Sequence, residues 1–319
     1  YKIDFKKPIH IHFIGIGGIS MSGLAEILLE EGFTISGSDS KESPLTRKLE
    51  SEGAHILYGQ KAENITDGIE CVVYTAAISR SNPELIEAVA KKIPMLTRAE
   101  LLGQLMKNYE TPIAVSGTHG KTTTTSMISH ILLAGDLDPT ISVGGILKAI
   151  GGNIRVGNSG TFITEACEYT NSFLHFFPKI SVILNIEEDH LDFFKDLEDI
   201  RHSFRQFAEL LPDDGTLVIN GDIKNYEEIC RGLSCQVITY GSSADFNYHA
   251  ADISYDDQGH VAFNMIRRDG SQEHITLSVT GDHNVSNALS ATAVAALLDI
   301  PMETIREGLL SFTGTDRRF

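Results

Sequence analysis

Ile113-Ala114-Val115-Ser116-Gly117-Thr118-His119-Gly120-Lys121-Thr122-Thr123-Thr124-Thr125 is the stretch on which the reading of this chain turns. Its apolar start suits a buried strand, and the run then breaks into a glycine-rich turn. After Gly-Lys-Thr-Thr, the residues Met127, Ile128, Ile131 and Leu132 recur at helical spacing. Strand, tight loop and helix N-terminus in that order make a phosphate cradle. Glycines let the backbone approach an anion, the first N–H groups of the helix point at it, and the helix dipole adds attraction. In such a cradle Lys121 reaches the β- and γ-phosphates and the Thr122 hydroxyl ligates Mg²⁺. Val115 stands where the general pattern G-x-x-x-x-G-K-[ST] has its first glycine.

Downstream, Thr161–Ala166 reads as a strand with Glu165 and Glu168 at or just beyond its end. Ile180–Leu184 reads as another, ending in Asn185-Ile186-Glu187-Glu188-Asp189-His190-Leu191-Asp192. In a parallel sheet the strand C-termini line the ligand crevice, so two strands delivering acids and a histidine there suggest a metal–phosphate site. A helix over 197–211 follows. From Phe246 to Val279 alternating segments are broken by Asp256-Asp257-Gln258-Gly259 and Arg268-Asp269-Gly270-Ser271, the marks of a small antiparallel ribbon. Gly281-Asp282-His283-Asn284 then caps an apolar helix, and Pro301 opens the next.

Upstream, Ile9–Ile14 alternates as a strand and runs into Gly15-Ile16-Gly17-Gly18-Ile19-Ser20-Met21-Ser22-Gly23. A helix and a second strand follow, leading to Asp39. This is a Rossmann-like β-α-β opening with a loop suited to a diphosphate. Asp39 has two readings, an acceptor for a ribose hydroxyl or the cap of a turn. Further strand candidates at 55–58, 71–74 and 94–96 complete one open α/β domain. The polar segment Lys107–Pro112 divides it from the rest, giving domains 1–109 and 110–319.

Bulk properties agree with two domains. The chain has 319 residues, with 42% hydrophobic and 22% charged, enough for substantial cores. A net charge of −17 argues against nucleic acid or an anionic membrane as partner, because both demand a basic surface. No apolar run approaches the roughly 18 residues of a membrane helix, and a cytoplasmic protein is expected. Cys71, Cys167, Cys230 and Cys235 form no C-x-x-C pair and are expected to be buried thiols.

Taken together these motifs resemble the Mur ligases. Gly117-Thr118-His119-Gly120-Lys121-Thr122-Thr123 is similar to that family's ATP loop, including the Val115 departure. Glu165, Asn185 with Asp189-His190-Leu191-Asp192, His283-Asn284-Val285-Ser286-Asn287-Ala288 and Arg317-Arg318-Phe319 resemble its later motifs in order. The resemblance implies an ATP-dependent carboxylate–amine ligase working through an acyl phosphate. Its cofactors would be ATP and Mg²⁺. Within the family, Gly15–Gly23 with Ala76-Ala77-Ile78-Ser79 and Asn82-Pro83-Glu84 point to UDP-N-acetylmuramate as sugar nucleotide and L-alanine as amine. It implies catalytic roles for Lys121, Glu165 and His190, and metal ligation by Thr122, Glu165 and His190. ATP would meet Gly117 to Thr123, with His283, Asn287 and Arg318. The diphosphate of the sugar nucleotide would meet Gly15, Gly17, Gly18, Ile19 and Ser20, with Asp39, Ser79 and Asn82 as helpers. The expected fold is α/β: a Rossmann-like parallel sheet, then a P-loop domain with the ribbon, and without the family's C-terminal domain. A piece so bounded would be inactive alone. Cys167 replaces the middle acid of the family's Glu-Ala-Asp-Glu. Residues 197–211 lack the lysine that some members carbamylate, and Arg201 or Arg205 would supply positive charge instead. Three rival readings remain: a ligase attaching a whole peptide to the same sugar nucleotide, an NAD(P)-dependent dehydrogenase, and a nucleotide-dependent binding module.

Overall fold

The computed structural model describes residues 1–315. The chain divides into two compact units, Tyr1–Asn108 and the remainder from Tyr109.

The first unit alternates strands and helices: β1 (His10–Ile14), α1 (Ile19–Glu30), β2 (Thr34–Asp39), α2 (Pro44–Ser51), β3 (His55–Tyr58), β4 (Cys71–Tyr74), α3 (Pro83–Ala90), β5 (Met95–Thr97) and α4 (Arg98–Met106). The strands pair in the order β3-β2-β1-β4-β5, all parallel, so the order reverses beside β1. Local signals set the helix starts. The Ser43 side chain accepts from Thr46 N, Asn82 caps α3 with Pro83 following, and Thr97 and Glu100 form a capping box on α4.

The alternation in β1 does not mark a half-exposed strand. Ile11, Phe13 and His12 are all fully buried, because a central parallel strand is covered on both faces. His12 is accommodated by a partner: its Nε2 lies 2.6 Å from Glu84 Oε1, which also accepts from Ser38 Oγ at 2.9 Å. Asn64 donates to Glu84 Oε2 at 3.1 Å. Removing one member of a buried pair of this kind costs about 3–5 kcal/mol.

The second unit contains β6 (Thr111–Ser116), α5 (Lys121–Ala134), β7 (Thr140–Leu147), β8 (Gly152–Arg155), β9 (Thr161–Ala166), β10 (Ile180–Ile183), α6 (Leu197–Glu209), β11 (Thr216–Asn220), α7 (Glu227–Cys230), β12 (Gln236–Gly241), β13 (Tyr248–Tyr255), β14 (His260–Arg267), β15 (Gln272–Thr280), α8 (His283–Leu297) and α9 (Met302–Ser311). One sheet runs β15-β14-β13-β12-β11-β10-β6-β9-β7-β8. It is parallel from β13 through β7 and antiparallel at both edges. The expected ribbon is β13–β15, joined to the parallel strands as part of the same sheet. The hairpin β7–β8 at the other edge was not foreseen. The core gathers Ile113, Val115, Ile128, Ile131, Ile163 and Val182 with the apolar faces of α8 and α9. Val115 is fully buried in β6, which ends at Ser116, so the loop starts at Gly117, two residues later than the general pattern has it.

Among the described residues no helix is long and apolar enough to cross a membrane. Only Cys71 of the four cysteines is buried, and burial pushes its thiol up to about 12. The other three are half-buried, because they lie at strand and helix ends rather than inside the sheet.

Candidate functional site

In the second unit β6 is flanked by β10 and β9, so the loop leaving it opens at the carboxyl edge of the sheet. Gly117 has φ 148° and Gly120 φ 86°, backbone that a side chain would strain. A Cβ on Gly117 would lie 2.9 Å from Leu184 Cβ. Gly120 caps α5 in the left-handed conformation with no side-chain cap, which leaves the first N–H groups of a 14-residue helix open to an anion. The loop is held from the next strand. Asn185 brackets residue 119, its Oδ1 accepting from His119 N at 2.7 Å and its Nδ2 donating to His119 O at 3.0 Å. Glu187 N donates to Thr118 Oγ1 at 2.9 Å, and Glu187 Oε2 lies 2.9 Å from His119 Nε2.

Two acids from the end of β9 meet this loop at different points. Thr122 Oγ1 donates to Glu165 Oε1 at 2.8 Å, and Gly144 N on β7 donates to the other oxygen of the same carboxylate. Glu168 sits deeper, 3% exposed, with neither carboxylate oxygen hydrogen-bonded. Its Oε1 is 3.7 Å from Lys121 Nζ and 3.6 Å from His190 Nε2. Burial pushes Glu168 above the ordinary carboxylate range, against the opposing pull of the Lys121 ammonium. Lys121 also donates to Gly117 O at 2.7 Å, so its ammonium lies over the loop where phosphate oxygens would come.

The expected catalytic set is therefore split into two contacts. Thr122 and Glu165 touch each other, whereas His190 stands with Glu168 and with Asp189, 3.8 Å away. The hard oxygens of Thr122 and Glu165 fit Mg²⁺. Among the described residues no three His, Cys, Asp or Glu side chains converge as a metal cage, so such an ion would take its remaining ligands from phosphate and water. At the far side of the loop Asn287 Oδ1 would lie 3.0 Å from a Cβ on Gly120, and its Nδ2 donates to Asn284 Oδ1 at 3.1 Å. His283 opens the same helix, exposed, and packs on Gly281. Thr123 is half-buried in the first turn of α5. Arg318 lies outside the described residues.

Sequence reasoning brought Glu168 and Asn185 to the site's edge without giving either a role, and it passed over Gly144. Consecutive glycines inside a strand are a signal of close backbone approach, and Gly144-Gly145 carried it. Arg201 and Arg205 do not supply charge here. Arg201 is buried and donates to Lys224 O and Asn225 O, while Arg205 donates to Ile229 O and Arg231 O. Both face α7, because α6 turns that side to its neighbour.

In the first unit Gly15 has φ 84°, and Gly15 and Ile16 both donate to Ser38 O at 2.9 Å. Gly18 N-caps α1 without a side-chain cap. Ile19 is exposed and Ser20 accepts from Arg98 at 3.1 Å. Asp39 Oδ2 accepts from Gly17 N at 2.8 Å and Oδ1 from Ser40 N, so its carboxylate holds the glycine loop itself. Asn82 Oδ1 caps α3, its Nδ2 donates to Gln60, and Ser79 Oγ lies 2.7 Å from Ser81 Oγ.

Comparison with known proteins fits both units. Residues 115–295 match the Mur ligase middle domain, and residues 10–110 match the Mur ligase family, catalytic domain. A UDP-N-acetylmuramate–L-alanine ligase of Agathobacter rectalis is 62% identical over the whole chain, which spans 70% of that protein. The crystal structure of UDP-N-acetylmuramate-alanine ligase from Thermotoga maritima aligns with TM-score 0.82 and 29% identity, over 98% of this chain and 70% of that one. UDP-N-acetylmuramate:L-alanyl-gamma-D-glutamyl-meso-diaminopimelate ligase from Neisseria meningitides aligns with TM-score 0.86 and 28% identity, over 98% of this chain and all of that one.

Proposed function

Because the chain belongs to the Mur ligase family, we propose that it joins the carboxylate of UDP-N-acetylmuramate to the amine of L-alanine with ATP, in the building of peptidoglycan precursor. A carboxylate resists amine attack because oxide is a poor leaving group. Conversion to an acyl phosphate, with release of ADP, supplies a good one, and the amine then displaces phosphate. Two anions must approach each other, so the residues' task is positioning and charge neutralisation.

Lys121 and the N–H groups opening α5 would hold the β- and γ-phosphates. Thr122 and Glu165 would hold Mg²⁺, which screens the charge between phosphates and carboxylate. His190 would bear on the reacting phosphate from the β10 side, on a second metal as the family resemblance has it. Asn287, beside the loop, would read the adenine, with His283 near it. In the first unit the loop Gly15–Ser20 would take the UDP diphosphate, with Ser79 and Asn82 at its flank, and Asp39 shaping the loop from within. Such precursors are made in the cytoplasm, where the protein would act.

The observation carrying this reading is one cluster: Lys121 over a glycine-capped helix start, with the Thr122–Glu165 contact beside it. The structural likeness to the Neisseria peptide ligase supports a second reading, in which a peptide replaces L-alanine. The full-length protein, given ATP, Mg²⁺ and UDP-N-acetylmuramate, is expected to release ADP and form product with labelled L-alanine. Product only with the tripeptide would favour the second reading. ADP release that needs neither amine nor sugar nucleotide would overturn both.

A further inference from the structure

His190 lies on the loop after β10 with φ 52° and a third of its side chain exposed. An imidazole so placed rotates freely unless something holds its plane. Tyr169, from the loop after β9, stacks on it with ring centroids 4.6 Å apart and planes at 27°. The Tyr169 hydroxyl donates to Asp192 Oδ2 at 2.5 Å, two residues beyond the histidine. The two loops are thus stapled across the ring, and Phe193 packs edge-on against Tyr169 at 6.1 Å. On its other side, His190 Nε2 faces Glu168 at 3.6 Å.

The segment that presents Tyr169 is itself fixed. Thr170 and Asn171 have φ 53° and 57°, left-handed backbone that persists only where surroundings enforce it. Ser203 of α6 donates to Asn171 Oδ1 at 2.7 Å, and Phe173 stacks on Phe207 at 4.5 Å. A left-handed turn anchored just after Tyr169, at Asn171 and Phe173, aims one aromatic ring at one imidazole.

We propose that Tyr169 is a positioning residue for the ligase reaction: it fixes the imidazole plane of His190, with Nε2 directed toward Glu168. This rests on the proposed function, in which His190 bears on the reacting phosphate. The ring stack is the main device, and the hydroxyl staple to Asp192 adds to it. Neither depends on Tyr169 touching a substrate.

The test compares Tyr169→Leu and Tyr169→Phe with the wild type in the full-length protein. Melting temperatures establish that each is folded. Misplacement of a catalytic group by about 1 Å costs up to about a hundredfold, so Tyr169→Leu is expected to lose roughly ten- to hundredfold in kcat. Its KM values for ATP and UDP-N-acetylmuramate should stay within about twofold, the pattern of an interaction that serves the transition state. Tyr169→Phe keeps the stack and should retain most of kcat. The second readout needs no turnover. The His190 ring-proton resonance, assigned by its loss in His190→Gln, should carry the ring-current shift of an overlying aromatic in the wild type and in Tyr169→Phe, and lose it in Tyr169→Leu. An unchanged kcat in the leucine variant overturns the proposal, and so does a His190 resonance identical in all three proteins. Absence of product in the wild type would strike the ligase reading instead, and the resonance would still decide whether Tyr169 holds the ring.

Discussion

Glu168 places a carboxylate in a setting with 3% exposure and no hydrogen-bond donor on either oxygen. Burial raises its pKa, only partly opposed by Lys121 and His190. A carboxyl whose folded pKa is raised binds its proton more tightly in the native state than in the unfolded chain. Its cost to stability is therefore absent at low pH, grows as pH rises through the carboxylate range, and is fully present above the folded pKa. Glu168→Gln keeps the shape and removes the charge. Its melting temperature should exceed that of wild type at neutral pH, with the gap closing as pH falls, while ATP-dependent turnover drops. A gap that is constant with pH would show that Lys121 and His190 compensate the charge in full. The sequence brought both Glu165 and Glu168 to the strand end, but it did not show that Glu168 is the buried one, for a physical reason. Strand periodicity assigns a face only as far as Ala166, and the turn that swings residue 168 inward is made by tertiary contacts.

At the scale of an element, β7 shows where local signals were sufficient and where they failed. The ribbon at the far edge was legible because turn chemistry marks it, Asp256–Gly259 and Arg268–Ser271 closing the two hairpins β13–β14 and β14–β15. The β7–β8 hairpin was missed although Gly151-Gly152 marks its turn, since its register shifts between Ser142 and Leu147, across the glycine pair Gly144-Gly145, and breaks the strand alternation. That irregular stretch brings Gly144 against the site. A Cβ there would lie 2.5 Å from Glu165 Oε2 and 3.1 Å from Thr122 Oγ1. Gly144→Ala should therefore displace the carboxylate that would hold Mg²⁺. A charge-assisted hydrogen bond is worth about 1.5–3 kcal/mol, so Mg·ATP affinity by calorimetry should fall about tenfold or more. The melting temperature should move little, because β7 there is near the sheet edge. Unaltered affinity would mean that Glu165 relaxes at no cost.

For the molecule as a whole, the α/β class and both phosphate loops were legible, because each loop sits at a strand-to-helix junction that glycine spacing marks. The partners of the buried groups were not. Nothing in Ile9–Ile14 announces that His12 will face Glu84, because that contact joins residues 72 apart in the chain. The choice between a sugar nucleotide and a nicotinamide cofactor for the first unit also belongs to this scale. Asp39 is engaged with Gly17 N, which leaves it less free for a ribose. Saturating UDP-N-acetylmuramate should raise the melting temperature, whereas NAD and NADP should not. At about a hundredfold over the dissociation constant the stabilisation is roughly 2.7 kcal/mol, a shift of several degrees. Stabilisation by NADP alone would restore the dehydrogenase reading.

The strand order of the second unit also sets a timetable. β6 carries the phosphate loop and leaves the ribosome before any other strand of its sheet, yet its neighbours are β9 and β10. Ser116 pairs with Ala166 on one side and Ile183 on the other. At about 5–20 residues per second of synthesis, the stretch Ile113–Val115 waits roughly 3–13 s for its second flank. During that interval the first unit, whose strands all precede Asn108, can already be closed. The nascent protein thus carries a domain able to close ahead of an apolar strand with one or both flanks uncovered, and it is over those seconds that a chaperone has most to protect.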